Sequence, residues 1–323
     1  MGKGRGRTPR QQKDTIMKVL VTGGAGFIGS NLALHLENES HAVTVLDDFS
    51  SGHESNLRGF KGEVVRADVA DFDFASKFKK LDAVFHQAAI TDTTVTDENR
   101  MFRANVEGFQ NLLEFAAQSG AKVVYASSAA VYGKGPSPMR ESQSPAPTNC
   151  YGTSKARMDE MVQSVIREKK VPLIVGLRYF NVFGPREEYK GSASSMIYQL
   201  AQQMKSGKRP RIFKHGEQKR DFVYVKDVVR ANLLAIASGK SGVVNIGTGR
   251  ATTFNEVIET LNQILGLSFE ADYFDNPYSF YQDHTEADLS LSEKLLGYRP
   301  KYTTQEGMRD YLGHPSTARS KNR

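Results

Sequence analysis

From Met17 onward, short apolar runs alternate with longer stretches in which apolar residues recur every three or four positions. The short runs, at 18–22, 42–47, 63–68, 83–89 and 122–128, are rich in Val, Ala and Phe. Runs of that length and composition suit strands buried on both faces of a parallel sheet. Helical periodicity fills the intervals at 30–37, 100–119 and 152–169, and a further strand follows at 173–178. This alternation predicts an α/β fold with a doubly wound parallel sheet and right-handed crossovers. Ligands of such sheets lie at the carboxyl ends of the strands.

After Gly184-Pro185 the pattern changes. A helix is predicted over 193–206, a Gly/Pro-marked loop at 207–210, and short extended segments at 211–213 and 219–225. A strand follows at 242–247, then helices at 254–265, 288–296 and 304–312. This half is expected to form a smaller C-terminal substrate-binding lobe over the open edge of the sheet, with its chain able to re-enter the first domain. The predicted division is 17–185 for a dinucleotide-binding domain and 186–313 for the lobe. Segments 1–16 and 314–323 are read as disordered basic tails, being polar and without apolar periodicity.

A formal charge of +7 looks at first like the mark of a nucleic-acid binder. Lys3, Arg5, Arg7, Arg10 and Lys13, opposed only by Asp14, and then Arg319, Lys321 and Arg323 carry the whole of that excess. The chain between the tails is formally neutral, so no basic domain face is implied and nucleic acid is not the expected partner. No run approaches the roughly 20 apolar residues that cross a membrane, and no secretory leader is evident. With one cysteine, Cys150, no internal disulfide can form. A cytoplasmic protein is expected.

The chemistry begins at Lys18-Val-Leu-Val-Thr-Gly-Gly-Ala-Gly-Phe-Ile-Gly29, an apolar strand running into a glycine-rich turn and a helix. Gly24, Gly26 and Gly29 fit G-x-G-x-x-G, and Gly23, Gly26 and Gly29 fit G-x-x-G-x-x-G. Such a turn needs backbone freedom and close approach that only glycine gives cheaply. The helix that follows presents free N–H groups to a pyrophosphate. The second strand ends in Asp47, 18 residues beyond Gly29, about where an acid that binds a ribose diol belongs.

Tyr151 and Lys155 stand four apart near the start of a helix, on one face. An ammonium about 4 Å from a phenol favours the phenolate by a few kcal/mol at an effective dielectric near 20. That would bring the phenol from about 10 towards about 7, where it can exchange a hydroxyl proton at neutral pH. Ser127 and Ser128 fall at the carboxyl end of the fifth strand, where a hydroxyl can hold the alcohol or carbonyl being interconverted.

Thr22-Gly-Gly-Ala-Gly-Phe-Ile-Gly29, Tyr125-Ala-Ser-Ser128, Tyr151-x-x-x-Lys155, Arg178-Tyr-Phe-Asn-Val-Phe-Gly-Pro185 and Arg220-Asp-Phe-Val-Tyr-Val225 together resemble the extended short-chain dehydrogenase/reductases. These are mostly nucleotide-sugar epimerases and dehydratases, and the likeness spans nearly all of residues 17–312. It implies Ser128, Tyr151 and Lys155 as the catalytic set. For the cofactor it implies Gly23, Gly26, Phe27, Ile28, Gly29, Asp47, Asp48, Asp68, Gln87, Ala88, Ala89, Asn105 and Val182, with Tyr151 and Lys155. Within the family, Gly184-Pro-Arg-Glu-Glu-Tyr-Lys-Gly-Ser192 and Tyr281-Gln-Asp-His-Thr-Glu-Ala-Asp-Leu289 are most similar to the ADP-glycero-manno-heptose 6-epimerases. That similarity implies Lys190 as a second acid/base and Asn181, Ser192, Phe213, Arg220 and Tyr281, with Ser128, as substrate contacts.

The expected activity is thus an isomerase acting on a nucleotide-diphosphate sugar through a transient keto-sugar. A UDP-hexose 4-epimerase is the alternative, and a non-catalytic dinucleotide-binding protein with partner-binding tails a more distant one. The pair Asp47-Asp48 repels a 2′-phosphate, so NAD is expected ahead of NADP. Gln199 departs from the family, which often has a histidine there. The resemblance implies a homo-oligomer, and no metal site is expected.

Overall fold

The computed structural model describes residues 16–93, 95–276 and 283–313. Tyr281 and nearly all of both basic tails lie outside the described residues. The first half runs β1 (Lys18–Thr22), α1 (Phe27–Asn38), β2 (Ala42–Asp47), β3 (Glu63–Arg66), α2 (Phe74–Lys77) and β4 (Ala83–His86). It continues through α3 (Glu98–Phe102), α4 (Gly108–Ser119), β5 (Lys122–Ser128), α5 (Cys150–Arg167) and β6 (Ile174–Tyr179). A single π turn at Arg103–Glu107 joins α3 to α4, so the helix expected over 100–119 is one continuous rod.

Six of these strands, together with a later one, make a seven-stranded sheet in the order β3-β2-β1-β4-β5-β6-β11, where β11 is Gly242–Ile246. All its pairings are parallel, as in Val21 opposite Val45 and Phe85. Strand order reverses between β1 and β4, which opens the crevice at their carboxyl ends. Leu32 and Leu36 of α1 pack with Val19, Val21 and Val45 on one face. Phe109 and Leu112 of α4 and Met158 and Val162 of α5 pack with Leu20, Val84 and Val123 on the other.

Two expectations are corrected. Strand β3 is not buried on both faces: it is the sheet's edge, and Val64 is 42% exposed. It has a neighbour on one side only, and its polar residues Glu63 and Arg66 suit an edge. The strands expected over 63–68 and 83–89 stop at Arg66 and His86, because the residues beyond leave the sheet and turn over the crevice.

The second half adds β7 (Asn181–Phe183), α6 (Met196–Lys205), β8 (Arg211–Phe213), β9 (Lys219–Arg220) and β10 (Phe222–Tyr224). It ends with α7 (Val225–Ala237), β11, β12 (Thr252–Thr253), α8 (Phe254–Leu265), β13 (Asp272–Phe274), α9 (Ser290–Leu296) and α10 (Thr304–Leu312). Periodicity assigns no element to 226–241, yet α7 buries Val228, Ala231 and Ala235 against the large sheet. Thus α7 and β11 return to the first domain, and the smaller lobe is built on Phe183, Leu200, Phe222, Phe254, Leu261 and Met308.

Buried carboxylates fasten the returning chain. Asp221, fully buried, accepts from the backbone N–H of Thr248, Gly249 and Ala287 and from the Thr248 hydroxyl, at 2.7–3.1 Å. Asp227 accepts from Lys301 N and Tyr302 N. Each anion is met by several donors, which offsets the cost of burying it.

Candidate active site

The carboxyl ends of the large sheet and the smaller lobe enclose a cleft of about 1160 Å³. Gly23, Gly26, Gly29, Asp47, Asp48, Asp68, Gln87, Ala88, Ala89 and Val182 line it, as do Phe27 and Ile28. So do Ser128, Tyr151, Lys155, Asn181, Lys190, Phe213 and Arg220. Residues up to 200 positions apart in sequence are thereby gathered around one space.

At the turn after β1, Gly23 adopts φ +66°, and a Cβ there would lie 2.5 Å from Ala88 N. At Gly29 a Cβ would come within 2.1 Å of the Gly23 carbonyl. Gly24 serves packing instead, since its Cβ would strike Val45. Helix α1 starts at Gly26 with no side-chain cap and no acid in its first turn, so its leading amides are open to an anion. Asp47 caps β2: Oδ2 accepts from Ala25 N at 2.9 Å and Oδ1 from Phe49 N at 2.8 Å. Burial raises its carboxyl, and those two N–H groups pull it back. These residues fit a dinucleotide: the amides suit a pyrophosphate and the Asp47-Asp48 pair a ribose diol.

Asn105 does not reach the cleft surface. It is fully buried, and its amide accepts from Ile90 N and donates to Ile90 O and Ser154 Oγ, which shapes the loop after β4 from beneath. Nearby, His86 donates or accepts at Thr22 Oγ1 at 2.8 Å, and burial, aided by Lys155, lowers it to about 3, so it is neutral.

Ser128, Tyr151 and Lys155 come from β5 and α5. Asn149 caps α5 by accepting from Gly152 N, which orients the first turn and with it Tyr151. Tyr151 hydrogen-bonds Ser128, and the Ser128 hydroxyl also accepts from Ala130 N. The expected lysine effect on the phenol is not found. Burial raises Tyr151, with the Ser128 bond alone opposing it. The Lys155 ammonium lies 5.9 Å from the ring centroid and donates to the Ala126 carbonyl at 2.9 Å. Burial lowers Lys155 to about 8, opposed by Asp159. Desolvation acts on both members of the pair and is the largest influence on each.

Beneath them lies a buried network. Asp159 accepts from Tyr125 Oη at 2.7 Å, Ser127 Oγ at 3.0 Å and Arg178 Nε at 2.9 Å. Arg178 also donates to Tyr132 Oη. The sequence carries a trace of it: Tyr151, Lys155 and Asp159 repeat every four residues along one helix face.

Lys190 enters from a 3₁₀ segment, Glu188–Ala193, following β7. Its ammonium lies 5.7 Å from the Phe27 ring centroid, and burial lowers it while Glu187 raises it. Asn181 bonds Thr285 Oγ1, and Arg220 donates to the Lys219 carbonyl at the cleft wall. Ser192 is exposed and is not among the cleft-lining residues. Arg211, Gln203, Gln218 and Phe274, which no sequence motif marks, also line the cleft. They sit on β8, β13 and their surroundings, where local pattern carries no chemical signature. Among the described residues no cluster of His, Cys, Asp and Glu could hold a metal, and no helix is long and apolar enough to cross a membrane.

A doubly wound sheet with open helix amides, a Ser–Tyr–Lys set lining the same cleft from β5 and α5, and a second lobe closing that cleft define an extended short-chain dehydrogenase/reductase of the nucleotide-sugar epimerase type. The chain belongs to the NAD dependent epimerase/dehydratase family, whose model matches residues 19–247. The Helicobacter pylori ADP-L-glycero-D-manno-heptose-6-epimerase is 43% identical, with a TM-score of 0.87 over 92% of this chain and 95% of that one. A Thermotoga maritima UDP-glucose 4-epimerase, solved with UDP-glucose, is 32% identical (TM-score 0.85; 92% and 97% covered). A Bacillus cereus UDP-glucuronic acid 4-epimerase, solved with its nucleotide sugar and NAD, is 29% identical (TM-score 0.81; 92% and 99% covered). The protein is therefore an NAD-dependent nucleotide-sugar epimerase, an isomerase.

Proposed function

We propose that the substrate is an ADP-glycero-manno-heptose and that the protein inverts its C6 through a transient 6-keto sugar. NAD in the cleft would supply reversible hydride acceptance, so the reaction has no net redox and needs no second substrate. Tyr151 Oη takes the hydroxyl proton from one face, and Ser128 holds the same oxygen by hydrogen bond. Burial holds the Tyr151 phenol raised, so its phenolate forms against that cost, and the Lys155 ammonium, 5.9 Å from the ring centroid, is the positive charge placed to offset part of it. The keto-sugar then turns over, the hydride would come back to C6 on the other face, and Lys190 donates its own proton to the oxygen. Tyr151 then loses a proton to solvent and Lys190 regains one before the next turnover. An arginine such as Arg220 suits the diphosphate.

The observation that carries this reading is Lys190. It lines the same cleft as Tyr151, on a separate element, with burial lowering its amine towards the range useful for proton transfer. A single-base epimerase has no need of it. The 43% identity to the heptose epimerase supports the same choice of sugar.

The test is incubation with ADP-D-glycero-manno-heptose, with the C6 configuration followed by NMR and released cofactor identified by mass spectrometry. Inversion is expected, with a loss of roughly 10²–10⁴ in kcat for Lys190→Ala and for Tyr151→Phe. Full activity in Lys190→Ala would remove the two-base mechanism. Turnover of UDP-hexoses at C4 in place of the heptose would make the protein a UDP-hexose 4-epimerase.

A further inference from the structure

Lys190 is a flexible side chain on a short 3₁₀ segment broken at Gly191, so something must hold it. The segment between Gly184 and Ser195 is closed on itself by one side chain. Glu187 is fully buried; its Oε1 accepts from Gly184 N at 3.0 Å and its Oε2 from Ser195 N at 2.7 Å. Gly184 is the last residue before Pro185, and Ser195 is the N-cap of α6. One carboxylate therefore ties the entrance of the segment to its exit. Its own carbonyl accepts from Lys190 N at 3.0 Å, which sets the turn that presents the lysine.

Other contacts fix the segment's orientation. Arg186, at φ +74°, donates to Asn56 O and Asn31 Oδ1, anchoring the outside of the loop to α1 and to the β2–β3 connection. The Tyr189 ring stacks on His53 with centroids 3.7 Å apart. From the far side, Gln199 of α6 donates to the carbonyls of Ser192 and Ser194 at 3.1 and 2.8 Å.

We propose that Glu187 is the positioning residue of Lys190: its buried carboxylate closes the 184–195 segment and supplies the negative charge that acts on the lysine ammonium. The proposal rests on the reading of Lys190 as the second acid/base, and deepens it. Glu187 does not touch the reacting atoms. It acts through Lys190, whose amine burial lowers and Glu187 raises. The other titratable groups in the neighbourhood are Arg186, Glu188 and Tyr189 on the same segment, His53 from the β2–β3 connection, Tyr198 from α6 and Tyr311 from α10. Helix α1 meets the segment with uncharged side chains, Phe27 and Asn31.

The experiment measures Lys190 directly. The full-length protein with its bound cofactor is pulsed with acetic anhydride from pH 6 to 11, and acetylation of the Lys190 peptide is quantified by mass spectrometry. The pH profile of kcat for the epimerised sugar is recorded in parallel. In Glu187→Gln the labelling midpoint is expected to fall by about one pH unit, from loss of one nearby charge, with the alkaline limb of kcat moving alike. Gln199→Met loosens the same loop without changing charge and is expected to leave the midpoint in place. An unmoved midpoint in Glu187→Gln, or an equal shift in Gln199→Met, overturns the proposal. A moved midpoint with an unmoved kcat profile upholds the coupling and instead refutes Lys190 as the acid/base. Should Glu187→Gln fail to fold, Glu187→Asp withdraws the charge by one methylene. A smaller fall in the midpoint is then expected, and no fall overturns the proposal.

Discussion

Replacing Asp159 by asparagine tests whether the platform beneath Ser128, Tyr151 and Lys155 is held by one buried charge. Asp159 is 4% and Arg178 6% exposed, and their ion pair is 2.9 Å long. The carboxylate also accepts from Tyr125 on one oxygen and from Ser127 on the other. An amide has one oxygen, so either Tyr125 or the Ser127–Arg178 side must face an NH₂ group that cannot accept. The Arg178 guanidinium, which burial opposes but Asp159 and Tyr132 raise, then stays charged with its ion-pair partner gone and Glu141 as the remaining carboxylate that acts on it. Breaking one side of a buried pair costs about 3–5 kcal/mol, a large part of a total stability of about 5–15 kcal/mol. The assay is urea unfolding at pH 7 for Asp159→Asn, Arg178→Met and the double variant, with m-values checked for constancy. The double variant is expected to be about 2 kcal/mol or more better than the sum of the singles. A cost for Asp159→Asn below about 1 kcal/mol, or simple additivity, would refute the reasoning.

Two further outcomes follow from the site. Lys155 is held near 8 against an unfolded value of 10.5. Between those values the unfolded chain binds the extra proton, so stability rises with pH across that window, and below it the buried ammonium costs up to about 3 kcal/mol. Lys155→Met should therefore be more stable at pH 7, lack the gain between pH 8 and 10, and lose epimerase activity; urea midpoints at pH 7 and 9 decide it. Gly29→Ala would press a Cβ to 2.1 Å from the Gly23 carbonyl, backbone that cannot swing aside. It should weaken NAD binding at least about tenfold and cost about 1–3 kcal/mol, and an unchanged Kd by calorimetry would contradict the turn's proposed role.

Much of the fold was legible because its signals are local. Helices at 254–265 and 304–312 coincide with α8 and α10, each started by a capping box, Thr253 with Glu256 and Thr303 with Glu306. The strands β1, β2 and β5 match their apolar runs residue for residue. Helix α7 was not legible: Val225-Lys-Asp-Val-Val-Arg-Ala-Asn-Leu-Leu-Ala-Ile-Ala237 follows directly on an extended run, and its apolar face has meaning only against the sheet it returns to. The residue types of the site were readable from motif spacing, since Ser128, Tyr151, Lys155 and Lys190 each sit in a short signature.

By itself, then, the sequence determined the alternation of strands and helices, the glycine turn and the chemical groups on offer, all properties of neighbours along the chain. Strand order, the exposed edge at β3, the gathering of Lys190 into the cleft and the raising of the Tyr151 phenol were decided by the tertiary structure alone. Each depends on burial and on partners far away in sequence. Spacing places an ammonium beside a phenol, but only the packed surroundings set how much water either one loses.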